Sequence, residues 1–343
     1  MGDGLMGNRR VAILGAGSFG TALASVLGSK GLEVRIWARE PEIVDGINAN
    51  HINPIYLTDL PLAENVVAFH TPAEALRGAD LVLFAIPTHA IRPAATAVKE
   101  LLTGKEIIVT VAKGIEGDTL LTPSRILSEV LHPIIPKKNI GVLTGPSHAE
   151  EVGFGKPTAI VACGYSVETA EVIQDTFLTP MLRVYLNEDI VGAEIGGALK
   201  NIMAIAAGIV DGAELGDNAK AALMTRGLHE MKRMGLEMGA SSETFSGLTG
   251  MGDLIVTCTS RHSRNRFVGY HIGQGKTLEE IMGEMTMVAE GVKTTASVAQ
   301  WARRNKVDMP ITMAVHHVLF EGADPRDILY DLMTRDPKNE IAV

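Results

Sequence analysis

The sequence predicts an α/β domain built on a mostly parallel sheet, followed by an all-α domain, and three observations carry that prediction. Short apolar runs alternate with helix-compatible segments as far as about residue 189. Most of those runs are continuously apolar rather than alternating, the mark of strands covered on both faces. Beyond residue 190 no β-rich run of comparable length recurs. Strands separated by helices need crossover connections, which set them parallel. The expected divisions are a glycine-rich flexible extension over 1–9, an α/β domain over 10–189 and a helical domain over 190–343.

In order, the expected strands are VAILG (11–15), EVRIWA (33–38), VVAF (66–69), DLVLFAIP (80–87), EIIVTVAKG (106–114), NIGVLTGP (139–146), TAIVAC (158–163) and LRVYL (182–186). A helix over 167–177 separates the last two. The helical half shows Ala, Leu, Met and Ile at three- and four-residue spacings over 194–215, 218–239 and 294–305. Gly212, Gly216 and Gly239 mark stops between these helices.

Composition narrows the function classes. The 343 residues are 46% hydrophobic and 21% charged, enough for a sizeable core and too apolar for disorder. A net charge of −9 argues against a general nucleic-acid or anionic-membrane binder, so an anionic ligand would need locally concentrated positive charge. Cys163 and Cys258 are the only cysteines, which suits a reducing compartment and gives no metal knuckle. The first apolar run, Val11 to Leu14, is too short for a signal core. The longest, Ile202 to Val210, falls short of the ~20 residues of a membrane span. A soluble, cytoplasmic protein is expected, with no membrane insertion.

Gly15-Ala16-Gly17-Ser18-Phe19-Gly20 matches G-x-G-x-x-G directly after an apolar strand and before a helix, TALASVLGSKG. That placement suits a dinucleotide. Gly15 permits the turn, Gly17 lets the backbone approach a pyrophosphate, and Gly20 allows close helix–strand packing. The pyrophosphate would lie on N–H groups at the positive end of the helix. At the end of the second strand, where an acidic residue would grip the ribose of NAD, the chain reads Trp37-Ala38-Arg39. Arginine there favours the 2′-phosphate of NADP, with NAD as the alternative and Glu40 weakening the signal.

Ligands of open parallel sheets bind beyond the strands' carboxyl ends. Pro87-Thr88-His89, Ala112-Lys113-Gly114 and Gly145-Pro146-Ser147-His148 fall there. Lys200 lies in EIGGALKNIMAIAAGIV among small neighbours, either at the solvent edge or partly buried. A buried lysine loses proton affinity and works as a general acid or base near neutrality. Asn201 beside it is an orienting amide or a plain helix-polar position. In GLTGMGDLIVTCTSRHSRNRFVG (247–269), Arg261, His262, Arg264 and Arg266 form a basic cluster interleaved with Ser263 and Asn265, suited to a small phosphate. Asp253 follows a glycine-rich turn, as a helix cap or as a partner for the lysine.

From about Arg10 to Met333 the chain resembles the bacterial NAD(P)-dependent glycerol-3-phosphate dehydrogenases. The resemblance rests on GAGSFGTALA, AKGIE, LTGPSHAEEV, GAEIGGALKNIMAIAAGIVDG, LTGMGDLIVTC, SRNRFVG and AEGVKT, in the family's order. It implies a Rossmann domain, a helical substrate domain, a homodimer, and reversible reduction of dihydroxyacetone phosphate to sn-glycerol 3-phosphate for phospholipid synthesis. It places Ser18, Phe19, Arg39, Tyr56, Lys113, Ala149, Arg264, Val288 and Glu290 at the cofactor. Lys113, Gly145, Ser147, Lys200, Asn201, Asp253, Ser263, Arg264 and Asn265 fall around the substrate. Lys200 matches the proton donor/acceptor, with Lys113 and Asp253 beside it; no metal is implied.

This chain departs from the family pattern at three places. Tyr56-Leu57-Thr58-Asp59 stands for a Tyr-Leu-Pro-Gly turn, His148 for a phenylalanine, and Thr88-His89 for a small polar pair. Two rival readings are a hydroxy-acid dehydrogenase, acting on a substrate such as 3-hydroxyisobutyrate or 6-phosphogluconate, and a nonenzymatic nicotinamide sensor. The Asp253 and Ser263–Asn265 segments favour a phosphorylated polyol over the first, and Lys200 favours catalysis over the second.

Overall fold

The computed structural model describes residues 9–285, 289–337, 339 and 340. Residues 1–8 of the extension expected over 1–9, and the candidate Val288, lie outside them; Arg9 is described and pairs with Asp175 at 3.2 Å. Eight strands form one sheet in the order β3-β2-β1-β4-β5-β6-β7-β8. They are β1 (Arg10–Leu14), β2 (Glu33–Trp37), β3 (Val66–Phe69), β4 (Leu81–Phe84), β5 (Ile107–Thr110), β6 (Ile140–Thr144), β7 (Thr158–Gly164) and β8 (Leu182–Leu186). All eight expected strands are present: β3 and β8 have the expected bounds, β7 runs one residue further to Gly164, β1 is shifted by one residue to begin at Arg10, and the others are trimmed at their ends.

All pairings are parallel except that of β6 with β7. The link between those two strands carries only a five-residue helix, so the chain turns back beside β6 instead of crossing over. Covering helices are α1 (Ser18–Ser29), α2 (Pro41–Asn50), α3 (Pro72–Leu76), α4 (Thr88–Val98), α5 (Pro123–Leu131), α6 (Ala149–Gly153) and α7 (Val167–Phe177). Central strands β4 and β6 are buried along their whole length, whereas the edge strand β3 alternates. That difference is why most runs read as continuously apolar. The chain leaves β1 for β2 and β3 on one side and resumes with β4 on the other. The crevice beyond β1 and β4 is therefore the switch point at which doubly wound sheets hold ligands.

The helices that follow are α8 (Ile190–Gly212), α9 (Asp217–Glu237), α10 (Asp253–Thr259), α11 (Arg264–Gly273), α12 (Leu278–Glu284), α13 (Glu290–Asn305), α14 (Pro310–Glu321) and α15 (Pro325–Met333). α8 is the axis of this half. Its 23 residues include an 18-residue window of mean hydropathy 1.4, long and apolar enough by composition to cross a bilayer, and 94% of that window is buried in the protein. The nine-residue run from Ile202 understated this helix, because glycines and a lone lysine interrupt the apolar pattern without breaking the helix.

Those glycines set the packing. A Cβ on Gly208 would run into Arg266 O, and one on Gly269 into Ile205 O, so α8 and α11 cross backbone against backbone. A helix surrounded in this way is apolar on most sides, and its buried polar residues Glu194, Lys200 and Asn201 are each paired. Its start is fixed by Asp189, whose Oδ1 accepts from Gly192 N at 2.8 Å.

Candidate functional site

A cleft of about 580 Å³ opens at the switch point and runs between the sheet's carboxyl edge and helices α8, α10 and α11. Its floor is the glycine turn. Gly15 has φ 115°, and a Cβ there would meet Ala85 O at 2.6 Å, while a Cβ on Gly20 would strike Gly15 O. Over Gly17 nothing lies within 4 Å, so the backbone faces open cleft. Helix α1 begins at Ser18, three residues before the TALAS segment, and Gly17 caps it without a side-chain bond. This geometry fits a pyrophosphate laid across a helix N-terminus.

Gly15, Gly17, Ser18, Phe19, Arg39, Tyr56, Lys113, Ala149, Arg264 and Glu290 line this one cleft, while Gly20 packs behind the turn. The Arg39 side chain is 85% exposed at the cleft's edge and pairs with Glu40 at 2.9 Å. Glu290, at the start of α13, accepts from Thr88 N at 2.7 Å, tying the loop after β4 to the helical half.

Deeper in, three elements distant in sequence deliver three charged side chains. Lys113 follows β5, Lys200 lies midway along α8, and Asp253 opens α10. Asp253 is fully buried and takes Lys200 Nζ on Oδ1 at 2.5 Å and Lys113 Nζ on Oδ2 at 2.8 Å. Lys113 also donates to Gly145 O at 2.8 Å, and Lys200 to Thr257 Oγ1 at 2.7 Å. Room for this comes from small residues. A Cβ on Gly196 would clash with Thr249 O, so the Leu248–Gly252 turn rests directly on α8 and presents Asp253 to Lys200. Gly197 leaves space for the Lys113 stem, whose Cγ lies 3.5 Å from where a Cβ would be.

The electrostatics follow. Burial lowers the Lys200 ammonium's pKa to about 8, with Asp253 opposing and Lys113 assisting. Burial pushes the Asp253 carboxyl up, but the two ammonium groups together outweigh it and hold it below its ordinary value. The cluster carries one net positive charge at the base of the cleft, with a buried acid that gives up its proton near neutrality. Asp253 does not cap α10; Gly252 occupies that position.

Amides align these pieces. Asn201 Nδ2 donates to Lys113 O at 3.1 Å, Asn265 Nδ2 to Asn201 Oδ1 at 3.0 Å, and Gly291 N to Asn265 Oδ1 at 2.9 Å. Ser263 caps α11 by accepting from Arg266 N at 3.2 Å. Ser147, Lys200, Asn201, Ser263 and Asn265 line the cleft with Lys113 and Arg264. Gly145 and Asp253 do not; they act from beneath through Lys113 and Lys200.

The basic cluster expected over 261–266 is not a unit. Arg266 turns away to Asp211, with bonds of 2.9 and 2.6 Å, where Lys220 also donates at 2.8 Å. Arg261 is exposed and outside the cleft, leaving Arg264 and His262 on it. Thr257 was not anticipated from the sequence. Its signal was the four-residue helical spacing from Asp253, which puts both on one face.

The chain matches the models of the NAD-dependent glycerol-3-phosphate dehydrogenase N-terminus over residues 10–170 and C-terminus over 189–330. It is 50% identical over 331 residues to a glycerol-3-phosphate dehydrogenase (NAD(P)+) of Clostridium perfringens, covering 96% of this chain and 99% of that one. The crystal structure of glycerol-3-phosphate dehydrogenase from Coxiella burnetii superposes with a TM-score of 0.90 at 37% identity, covering 96% of this chain and 99% of that one. That of the Saccharomyces cerevisiae enzyme superposes with a TM-score of 0.84 at 26% identity, over 96% of this chain and 100% of that one. With matches of this extent across both halves, the chain belongs to the NAD-dependent glycerol-3-phosphate dehydrogenases, a family of NAD(P)-linked oxidoreductases.

Proposed function

We propose that the chain catalyses the reversible reduction of dihydroxyacetone phosphate to sn-glycerol 3-phosphate, with Lys200 as proton donor and acceptor. The observation that carries this reading is the buried Lys113–Asp253–Lys200 cluster lying in the same cleft as the glycine turn. When bound along that turn, the nicotinamide cofactor supplies the hydride. Lys200 stabilises the negative charge that develops on the ketone oxygen and gives it a proton; Lys113 adds positive charge beside it. Asp253 keeps both ammonium groups aimed and offsets their repulsion. Arg264, Asn265, Ser263 and Ser147 hold the phosphate, whose binding energy positions the carbonyl. Arg39 at the edge supports NADP over NAD. Supply of glycerol phosphate for phospholipid synthesis, a cytoplasmic location and a homodimer complete the reading; they rest on the family resemblance.

The pH dependence has a definite sign. Reduction needs Lys200 protonated, so its rate falls as pH rises through about 8; oxidation needs the free amine and rises through the same range. The direct test is NADPH and NADH oxidation with dihydroxyacetone phosphate beside unphosphorylated dihydroxyacetone. Turnover confined to the phosphate ester supports the function. No oxidation by folded protein that binds NADPH would overturn it.

A further inference from the structure

His148 follows Ser147 at the turn after β6, on the wall of the cleft. Its Nε2 is shielded from solvent and makes no close hydrogen bond among the described residues, with the Val256 carbonyl near the ring. Its ring lies 5.8 Å from that of His262, centroid to centroid, tilted by 50°. His262 directly precedes the Ser263–Asn265 segment to which the phosphate is assigned above. The two imidazoles thus touch at the cleft wall, one carried by the sheet half and one by the helical half.

We propose that His148 is a specificity-determining residue that reads the substrate's phosphate, donating an imidazole N–H to a phosphate oxygen at the edge of its contact with His262. This deepens the proposed function and rests on it. An unpartnered buried ring nitrogen is costly, and a phosphate oxygen beside His262 supplies the partner it lacks. The groups facing the ring are Lys200 on α8, Lys113 after β5, Glu150 on its own helix, the Val256 carbonyl on α10, and His262. Burial first, then Lys200, lower its pKa in the free protein, while the Val256 carbonyl and Glu150 oppose them and Lys113 adds to the lowering. These influences favour the neutral ring in the free protein. A phosphate dianion reverses that balance, and one proton passes from solvent to His148 as the ester binds, so the ester is held more tightly at low pH.

The test is the pH dependence of KM for dihydroxyacetone phosphate in wild type, His148→Phe and His148→Asn. His148→Phe keeps an aromatic ring in contact with His262 and removes both ring nitrogens, while His148→Asn keeps a polar side chain without the imidazole. Wild-type KM is expected to rise with pH. Each variant should raise KM roughly tenfold at the acid end, moving kcat far less, and flatten the rise. Proton uptake is measured in parallel, by calorimetry of glycerol 3-phosphate and of inorganic phosphate in buffers of different ionisation enthalpy. Because Lys200 also titrates near pH 8, the deciding result is the part of the uptake lost in His148→Phe. Variants that keep the wild-type KM, its pH profile and the proton uptake would overturn the proposal and leave His148 as packing for His262. Wild type inert toward dihydroxyacetone phosphate would instead overturn the proposed function, while the calorimetry would still decide on His148.

Discussion

The two halves of the cleft are made of different materials. The side proposed to take the cofactor is backbone: one contiguous glycine turn in which Gly15 and Gly20 answer close contacts and Gly17 leaves the backbone open. The side proposed to take the substrate is side chain: Lys113, Lys200 and Asp253, drawn from the loop after β5, α8 and α10 and held by direct ion pairs. A backbone site is inherited with the strand–turn–helix unit that forms it. A side-chain site exists only once distant elements have packed, and its charges are costly to bury until they meet. The expectation is that the first side governs cofactor affinity and the second governs the chemical step.

Four experiments try to break that division, from the largest expected effect to the smallest. Lys200→Met should lower kcat by roughly a thousandfold while leaving NADPH binding, read by nucleotide fluorescence, unchanged. Equal loss of cofactor binding would show that the two sides are one site. Asp253→Asn leaves two ammonium groups facing a neutral amide, and should cost about 3 kcal/mol in denaturant unfolding besides impairing turnover. If stability stays at the wild-type value, the carboxylate is not what holds the lysines together. Gly20→Ala drives a methyl into Gly15 O and should raise KM for NADPH roughly tenfold, with kcat at saturating cofactor much less affected. Arg39→Ala is the mildest: KM for NADPH should rise about fivefold with that for NADH unchanged. A parallel rise for NADH would remove Arg39 from 2′-phosphate recognition.

The same division explains what the sequence disclosed. The strands were readable because burial on both faces writes itself as an unbroken apolar run. The cofactor turn was readable because all its determinants fall within six residues, Gly15 to Gly20. Lys200 left two environments open, since glycine and alanine neighbours are equally compatible with an exposed flank and with a close-packed backbone; Thr249 resting on Gly196 decides for the second. Arg266 groups with Arg264 in the sequence because the two are near neighbours there. Two positions apart on a helix are turned by roughly 200°, so one reaches the cleft while the other meets Asp211. The depth of α8 was understated for a related reason. Glycines that weaken an apolar run in sequence are the ones that let α11 press against it in space.

The chain of amides from Lys113 through Asn201 and Asn265 to Gly291 runs in one direction, each donor followed by an acceptor on the same side chain. Neither amide can turn over without reversing donor and acceptor at both of its ends, and an aspartate at either place would lack the nitrogen its neighbour requires. Changes at Asn201 and Asn265 are therefore tied to each other and to the backbone of two further segments. For anyone remodelling this pocket toward a different phosphorylated alcohol, these positions do not vary one at a time; the freedom to evolve lies at the rim, and the centre changes only as a block.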